Sequence, residues 1–426
     1  MSISTLSQQL RAILPVACLL ISATLVGASS ADAQPLTEKQ IARIETYVRS
    51  ELDGNVVGYQ FALAQSGTLL HTHSYGMSNL SQGQVMDSSL QINIGSISKL
   101  IPTITALWYA ERGLIDLDAP FVNYLDEATF TDVHPSIQDI TVRELATYTA
   151  RLPQTSGSSG RSNCKDDCPE LLQKPRGLEN CRVTLDISDS PFPYQCARAY
   201  QNAGFYLLRL ALQGIMASPS RVETVEDWVT EIRDAWLGPS GLEMTCDPDP
   251  NGDMRYYTSC DSAAYHSDFC LNEELEGDCE CLDGFFFENR ALSQSSYCSS
   301  GGWRASATTL VRMLEYLREG HILNPEMTAY LLDTSLQDVY GTSGSVGWDR
   351  PWGRDGASNL GKNGGFPQML VTYASLLPSE ASAAILINTD DNSWRPAPDK
   401  STDPTTVLRA AWANRGPGGP GDIEGP

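Results

Sequence analysis

From Ile41 to Arg49 apolar and charged residues recur at helical spacing, and Val56 to Tyr75 shows β-rich alternating stretches broken at Ser66-Gly67. This pattern predicts a helix followed by a hairpin. His71 and His73 lie two apart in the second strand and share one face. With no third ligand in view, the pair reads as a solvated strand face. Helical character returns between Ser96 and Arg112 and stops at Gly113, a C-cap residue. Ile140 to Thr149 and Tyr200 to Ile215 also read as helices, and Val222 to Leu237 as an amphipathic third. A further helix runs from Ser306 to Gly320, strands from Met369 to Leu377 and Ala383 to Asn388, and a closing helix from Thr405 to Asn414. No internal repeat of fixed period interrupts this order.

Composition narrows the class. A chain of 426 residues, 41% hydrophobic, fills a large core and is not disordered throughout. Arg11 precedes an apolar run from Ile13 to Val26, and Ala31-Asp32-Ala33 supplies small residues at a cleavage position, so residues 1–33 are expected to be an export signal. The run is shorter than the roughly 20 residues that span a bilayer. Cys18 sits inside the run instead of ending it, which argues against lipidation. Cleavage removes Arg11 and Asp32 and leaves the net charge at -23, which disfavours nucleic acid and anionic lipid as partners. A secreted or periplasmic location follows. Of 11 cysteines, the ten beyond Cys18 lie between Cys164 and Cys298. That even number allows five disulfides in an oxidising compartment, whereas the only close pair, Cys279-Glu280-Cys281, is a poor zinc site. The stretches from Gln154 to Cys196 and from Cys246 to Cys298 read as disulfide-stapled excursions from a helical region. The segment 416–426, rich in Gly and Pro, is expected to be a disordered tail.

Chemistry enters at Ser96-Ile97-Ser98-Lys99, which puts a hydroxyl and an amine three apart at a helix start. Both side chains project to one side, where the amine can take or share the serine proton and free backbone N–H groups can hold developing negative charge. The motif is weak alone, and a second copy, Ser162-Asn163-Cys164-Lys165, falls in a Cys-rich loop without helical periodicity.

The surrounding residues carry a resemblance. Ile94-Gly95-Ser96-Ile97-Ser98-Lys99, then Ala110 to Asp118, then Ile140-Thr141-Val142-Arg143-Glu144-Leu145, resemble the class C β-lactamase, D-alanyl-D-alanine carboxypeptidase and esterase family. Tyr200-Gln201-Asn202 is similar to its Tyr-x-Asn element, Ser300-Gly301-Gly302-Trp303 to its Gly-Gly turn, and Lys362-Asn363-Gly364-Gly365 to its Lys/His-x-Gly strand. Leu237-Gly238-Pro239 with Gly241 to Met244 is similar to a further segment, with a short insertion. The elements keep their order over roughly residues 40 to 415.

The resemblance implies an α+β fold: an antiparallel sheet built from both chain ends and flanked by helices, with a helical, Cys-rich subdomain inserted. The α/β part is expected at about 34–105 and 300–415, the inserted part at about 106–299, and the catalytic domain as a whole at 34–415. It implies Ser96 as nucleophile, Lys99 as its partner and Tyr200 as general base, a phenolate whose pKa nearby lysine charge lowers. Asn202 would grip the acyl side of the substrate and orient Lys99. Lys362 would bind a substrate carboxylate and help hold Tyr200 ionised. Gly364 and Gly365 would admit the substrate closely, the Gly365 and Ser96 N–H groups forming an oxyanion hole. No metal or organic cofactor is required. Peptide, lactam and ester substrates stay open, as do disulfide connectivity and oligomeric state.

Pro102 inside the nucleophile helix is expected to kink it just beyond Lys99. Tyr148 and Ala150-Arg151 stand where relatives often show His and Ser-Gly, and the two excursions are large. A penicillin-recognising sensor that acylates without turnover shares every motif. A calcium or adhesion module is a third reading. Asp247-x-Asp249-x-Asn251-Gly252-Asp253 opens like a calcium loop, but its twelfth position is Thr258 and two prolines interrupt it. Cys279-x-Cys281-x-x-Gly284-Phe285 is weakly similar to the end of an EGF-like module. The mechanism requires Tyr200 and Lys362 to converge with Lys99 on the Ser96 oxygen.

Overall fold

The first helix starts where Thr37 and Gln40 form a capping box, each side chain accepting the other's backbone N–H. The computed structural model describes residues 34–80, 82–125, 133–152, 175, 181–183, 194–196, 198–216, 225–246, 256–259, 281–282, 285–288, 298–337, 343–349, 359–366, 370–389 and 401–416. The expected export segment, the tail beyond Gly416, the second Ser-x-x-Lys copy, the calcium-like loop 247–253 and most of the cysteines lie outside the described residues.

The helices are α1 (Glu38–Leu52), α2 (Leu100–Ala110), α3 (Pro135–Gln138), α4 (Val142–Ala146), α5 (Asn202–Met216), α6 (Val225–Ile232), α7 (Ala307–Arg318), α8 (Pro325–Leu331) and α9 (Pro404–Ala413). The main sheet contains β1 (Gly58–Gln65), β2 (Thr68–Asn79), β3 (Gln84–Val85), β4 (Leu360–Phe366), β5 (Leu370–Leu376) and β6 (Ala381–Ile387). Its order is β4-β5-β6-β1-β2-β3, with every pair antiparallel. The two chain ends therefore meet in its centre, Tyr59 opposite Ile387 and Gln65 opposite Ala381. Alternation sends side chains to both faces. Tyr59, Phe61 and Leu63 join Ala383, Ile385 and Ile387 beneath α1 and α9, against Ile44, Val48, Val407 and Leu408. Ala62, Ala64, Ala384 and Leu386 face the larger core that includes Leu310 and Leu314 of α7. The antiparallel sheet with flanking helices is the α+β architecture that the resemblance implies.

Four local expectations change. The helix expected from Ser96 is a 3-10 turn, Gly95–Lys99, followed by α2. The change of helical type falls at Lys99, and Pro102 occupies the third position of α2, where a missing N–H is tolerated. The helix expected over 140–149 is only α4, capped by Thr141 and Glu144 and closed as Tyr148 enters the left-handed region at φ 63°. His71 and His73 are not a solvated face: their rings pack near Phe61 and Tyr59, with His71 Nε2 3.4 Å and His73 Nδ1 3.8 Å from the Glu45 carboxylate of α1. Among the described residues, no helix is long and apolar enough to cross a membrane.

The two scaffold motifs pack on each other. Arg143 of α4 forms a two-pronged ion pair with Asp118, at 2.5 and 3.1 Å, and its N–H donates to Leu117 O at 2.8 Å.

Candidate active site

Ser96 heads a turn that is pressed against the edge strand β4. Asn93 Oδ1 accepts the Gly95 N–H at 2.7 Å, and Gly95 holds φ +53°. A Cβ on Gly95 would lie 2.4 Å from the Gly365 nitrogen, and one on Gly364 would lie 2.1 Å from Ile94 O. Only glycines let the two backbones approach this closely. Thr372 of β5 fastens the junction by donating to Ile94 O at 2.9 Å. The approach brings Gly365 beside the turn that carries Ser96, where the two N–H groups form a candidate oxyanion hole.

Lys99 is buried and donates to Ser96 Oγ at 3.0 Å and to the Ser300 carbonyl at 2.6 Å. That carbonyl belongs to the Gly-Gly turn, which is tied down on both flanks. Trp303 N–H donates to Ser98 Oγ at 3.1 Å, and Thr245 and Arg304 exchange backbone bonds at 3.2 and 2.7 Å. The Cys246–Cys298 disulfide closes the same ladder two residues from Ser300. Replacing both cysteines by serine is expected to lower stability by about 2–4 kcal/mol. Because the Ser300 carbonyl loosens, kcat should fall by several-fold as well. Denaturant titration beside ester hydrolysis checks both effects.

The Tyr200 hydroxyl makes a short hydrogen bond to Ser96 Oγ, and Lys99 Nζ lies 4.9 Å from the Tyr200 ring centre. Tyr200 as a whole is 43% exposed, but desolvation around its hydroxyl pushes the phenol up to about 12, and the Lys362 charge offsets only part of that rise. In place of the phenolate expected from the resemblance, Tyr200 is a neutral phenol at pH 7. Its ionisation should not limit kcat/KM until the pH nears about 12. The linked stability is complete below the unfolded phenol value of about 10 and is lost as pH rises toward the folded value. An ultraviolet tyrosinate titration of wild type against Tyr200→Phe, alongside the pH-rate profile, checks this; a descending limb near pH 9 that vanishes in the variant would contradict it. Asn202 is half-buried and opens α5 two residues beyond Tyr200.

Lys362 departs further from expectation. It is 0% exposed, and its ammonium donates to Asp349 Oδ1 at 2.5 Å and to the Tyr148 hydroxyl at 2.8 Å. Tyr148 stacks on Tyr200 at 5.6 Å between ring centres and donates to Gly347 O at 3.2 Å. Lys362 thus converges on the aromatic pair, 5.4 Å from the Tyr200 ring centre, but its charge is committed to Asp349 rather than offered to a substrate carboxylate. Neither Asp349 nor the Ser300 carbonyl stands out in the sequence: the first belongs to no motif, and the second is a backbone atom.

A serine flanked by a buried amine and a phenol, beside the edge strand and its close-packed glycines, defines a serine hydrolase. The family described as Beta-lactamase matches residues 40–402, and the chain belongs to that family. Among solved structures it is similar to D-amino acid amidase from Ochrobactrum anthropi SV3, in a complex with L-phenylalanine amide. That match has 16% identity and a TM-score of 0.64, covering 88% of this chain and 99% of the other. The octameric penicillin-binding protein homologue from Pyrococcus abyssi matches at 15% identity and a TM-score of 0.62, covering 88% and 76%. A class C β-lactamase from Rhodobacter sphaeroides matches at 17% and 0.56, covering 89% and 98%. At these identities the likeness is one of fold. None of the curated proteins matches the sequence.

Proposed function

We propose that the protein is an exported serine hydrolase that cleaves amide or ester bonds through an acyl-enzyme on Ser96. The observation that carries this proposal is the joint contact of Lys99 Nζ and the Tyr200 hydroxyl with the Ser96 oxygen. Ser96 Oγ attacks the substrate carbonyl as its proton passes to the neutral amine of Lys99. The Ser96 and Gly365 N–H groups hold the oxyanion, and Tyr200, a phenol, protonates the departing nitrogen or oxygen. The Lys99 ammonium then returns a proton to Tyr200. Water attacks the ester by the same route, giving back the free serine and an acid. In this scheme Asn202 steadies the acyl side of the substrate.

Export is supported by the basic and apolar leader at 1–33 and by the Cys246–Cys298 disulfide, a bond of oxidising compartments. The fold neighbour named as an amidase supports amides among the substrates.

Intact-mass measurement after incubation with a neutral activated ester tests the reaction. The expected result is an adduct on the Ser96 peptide that decays with time. A lasting adduct would indicate a sensor that acylates without turnover, and failure to label would refute acylation.

A further inference from the structure

We infer that Asp349 sets the substrate class, because it occupies the one cation on β4 and so leaves the site to acyl donors with no carboxylate beside the scissile bond. This rests on the Ser96 acyl-enzyme proposed above. In a site that recognises a carboxylate, a cationic side chain must present its charge to the incoming anion, and on β4 that group is Lys362. Here Lys362 is fully buried, and two of its donor directions end on Asp349 and Tyr148. Asp349 cannot easily turn away, since its other oxygen accepts the Asn363 N–H at 2.7 Å and its own N–H donates to Gly361 O at 3.0 Å. Both bonds are to β4, so the aspartate is fixed to the strand that carries the lysine.

Among the described residues, the other basic side chains near the aromatic pair are also engaged. Lys99 donates to Ser96 and Ser300, while Arg198, over the Tyr148 ring at 5.4 Å, donates to Ser345 O and Trp348 O at 3.2 and 3.1 Å. At the described residues, a substrate anion would have to break a buried ion pair or approach the Asp349 carboxylate, whose side chain is 29% exposed. The chain's net charge of -23 opposes the same approach at longer range. Asp349 acts through Lys362 and is therefore a positioning residue that determines specificity.

The test is kcat/KM for two p-nitrophenyl esters of equal length, one with a terminal methyl on the acyl chain and one with a terminal carboxylate, in wild type and Asp349→Asn. Wild type is expected to prefer the neutral ester by about 10-fold or more, and the variant to shift that ratio by about 10- to 100-fold toward the anionic ester. A structural role alone would lower both rates and leave their ratio unchanged. Should the variant not fold, inhibition of wild type by phenylboronic acid against 3-carboxyphenylboronic acid reads the same preference. Wild-type preference for the anionic member of either pair, or an unchanged ratio in a folded variant, overturns the inference. Labelling of wild-type Ser96 by a neutral fluorophosphonate reports the acyl-enzyme separately, so its absence would refute that proposal instead.

Discussion

Ser96→Ala is expected to lower kcat/KM for an activated ester by about 10⁴-fold or more while leaving the unfolding midpoint nearly unchanged. The side chain is small and contributes little packing, so its loss leaves the sheet and α2 intact. What disappears is the oxygen on which Lys99 and Tyr200 both act. The remaining groups work as a unit around that atom, so the residual rate reflects backbone amides and binding alone. Circular dichroism melts and stopped-flow ester hydrolysis on the same preparations make the comparison. A variant retaining a tenth of the wild-type rate would remove Ser96 as nucleophile.

Gly95→Ala should be the next most damaging change, and it should reduce both quantities. An alanine at φ +53° carries backbone strain of about 1–2 kcal/mol. Its Cβ would also lie 2.4 Å from the Gly365 nitrogen and 3.0 Å from the Gly364 carbonyl carbon, so β4 must move away. The expected outcome is a loss of about 2–3 kcal/mol in stability, from strain and overpacking together. A fall of about 10²- to 10³-fold in kcat should accompany it, the effect of displacing one oxyanion donor. Chemical denaturation and the ester assay check the two losses. A kcat within a few-fold of wild type would show that β4 does not form that wall of the site.

Much of this architecture was legible because it rests on local periodicity. The hairpin at Ser66-Gly67, the strands β5 and β6 and the helices α1, α5, α7 and α9 follow directly from alternation and helical spacing. Ser96, Lys99 and Tyr200 were readable because their spacing and order resemble a family, and the structure brings the three together. Other features depend on tertiary environment, which no spacing encodes. Tyr200 stays a phenol because desolvation at its hydroxyl outweighs the charge of Lys362. Asp349 meets Lys362 only through its hydrogen bonds to β4, which bring together residues 13 apart in the chain. Glu45, likewise, reaches His71 and His73 from α1, a different element.

The meeting of β1 with β6 also shapes how the molecule comes into being. Tyr59 must find Ile387 across most of the polypeptide, a pairing of high contact order whose loop-closure cost precedes its reward. On a ribosome, the N-terminal hairpin therefore waits with one edge open until the last strands have emerged. Those late strands also bring the backbone that faces Ser96. Reactivity thus arrives with completion of the sheet, and a nascent or truncated chain carries the serine without the means to use it.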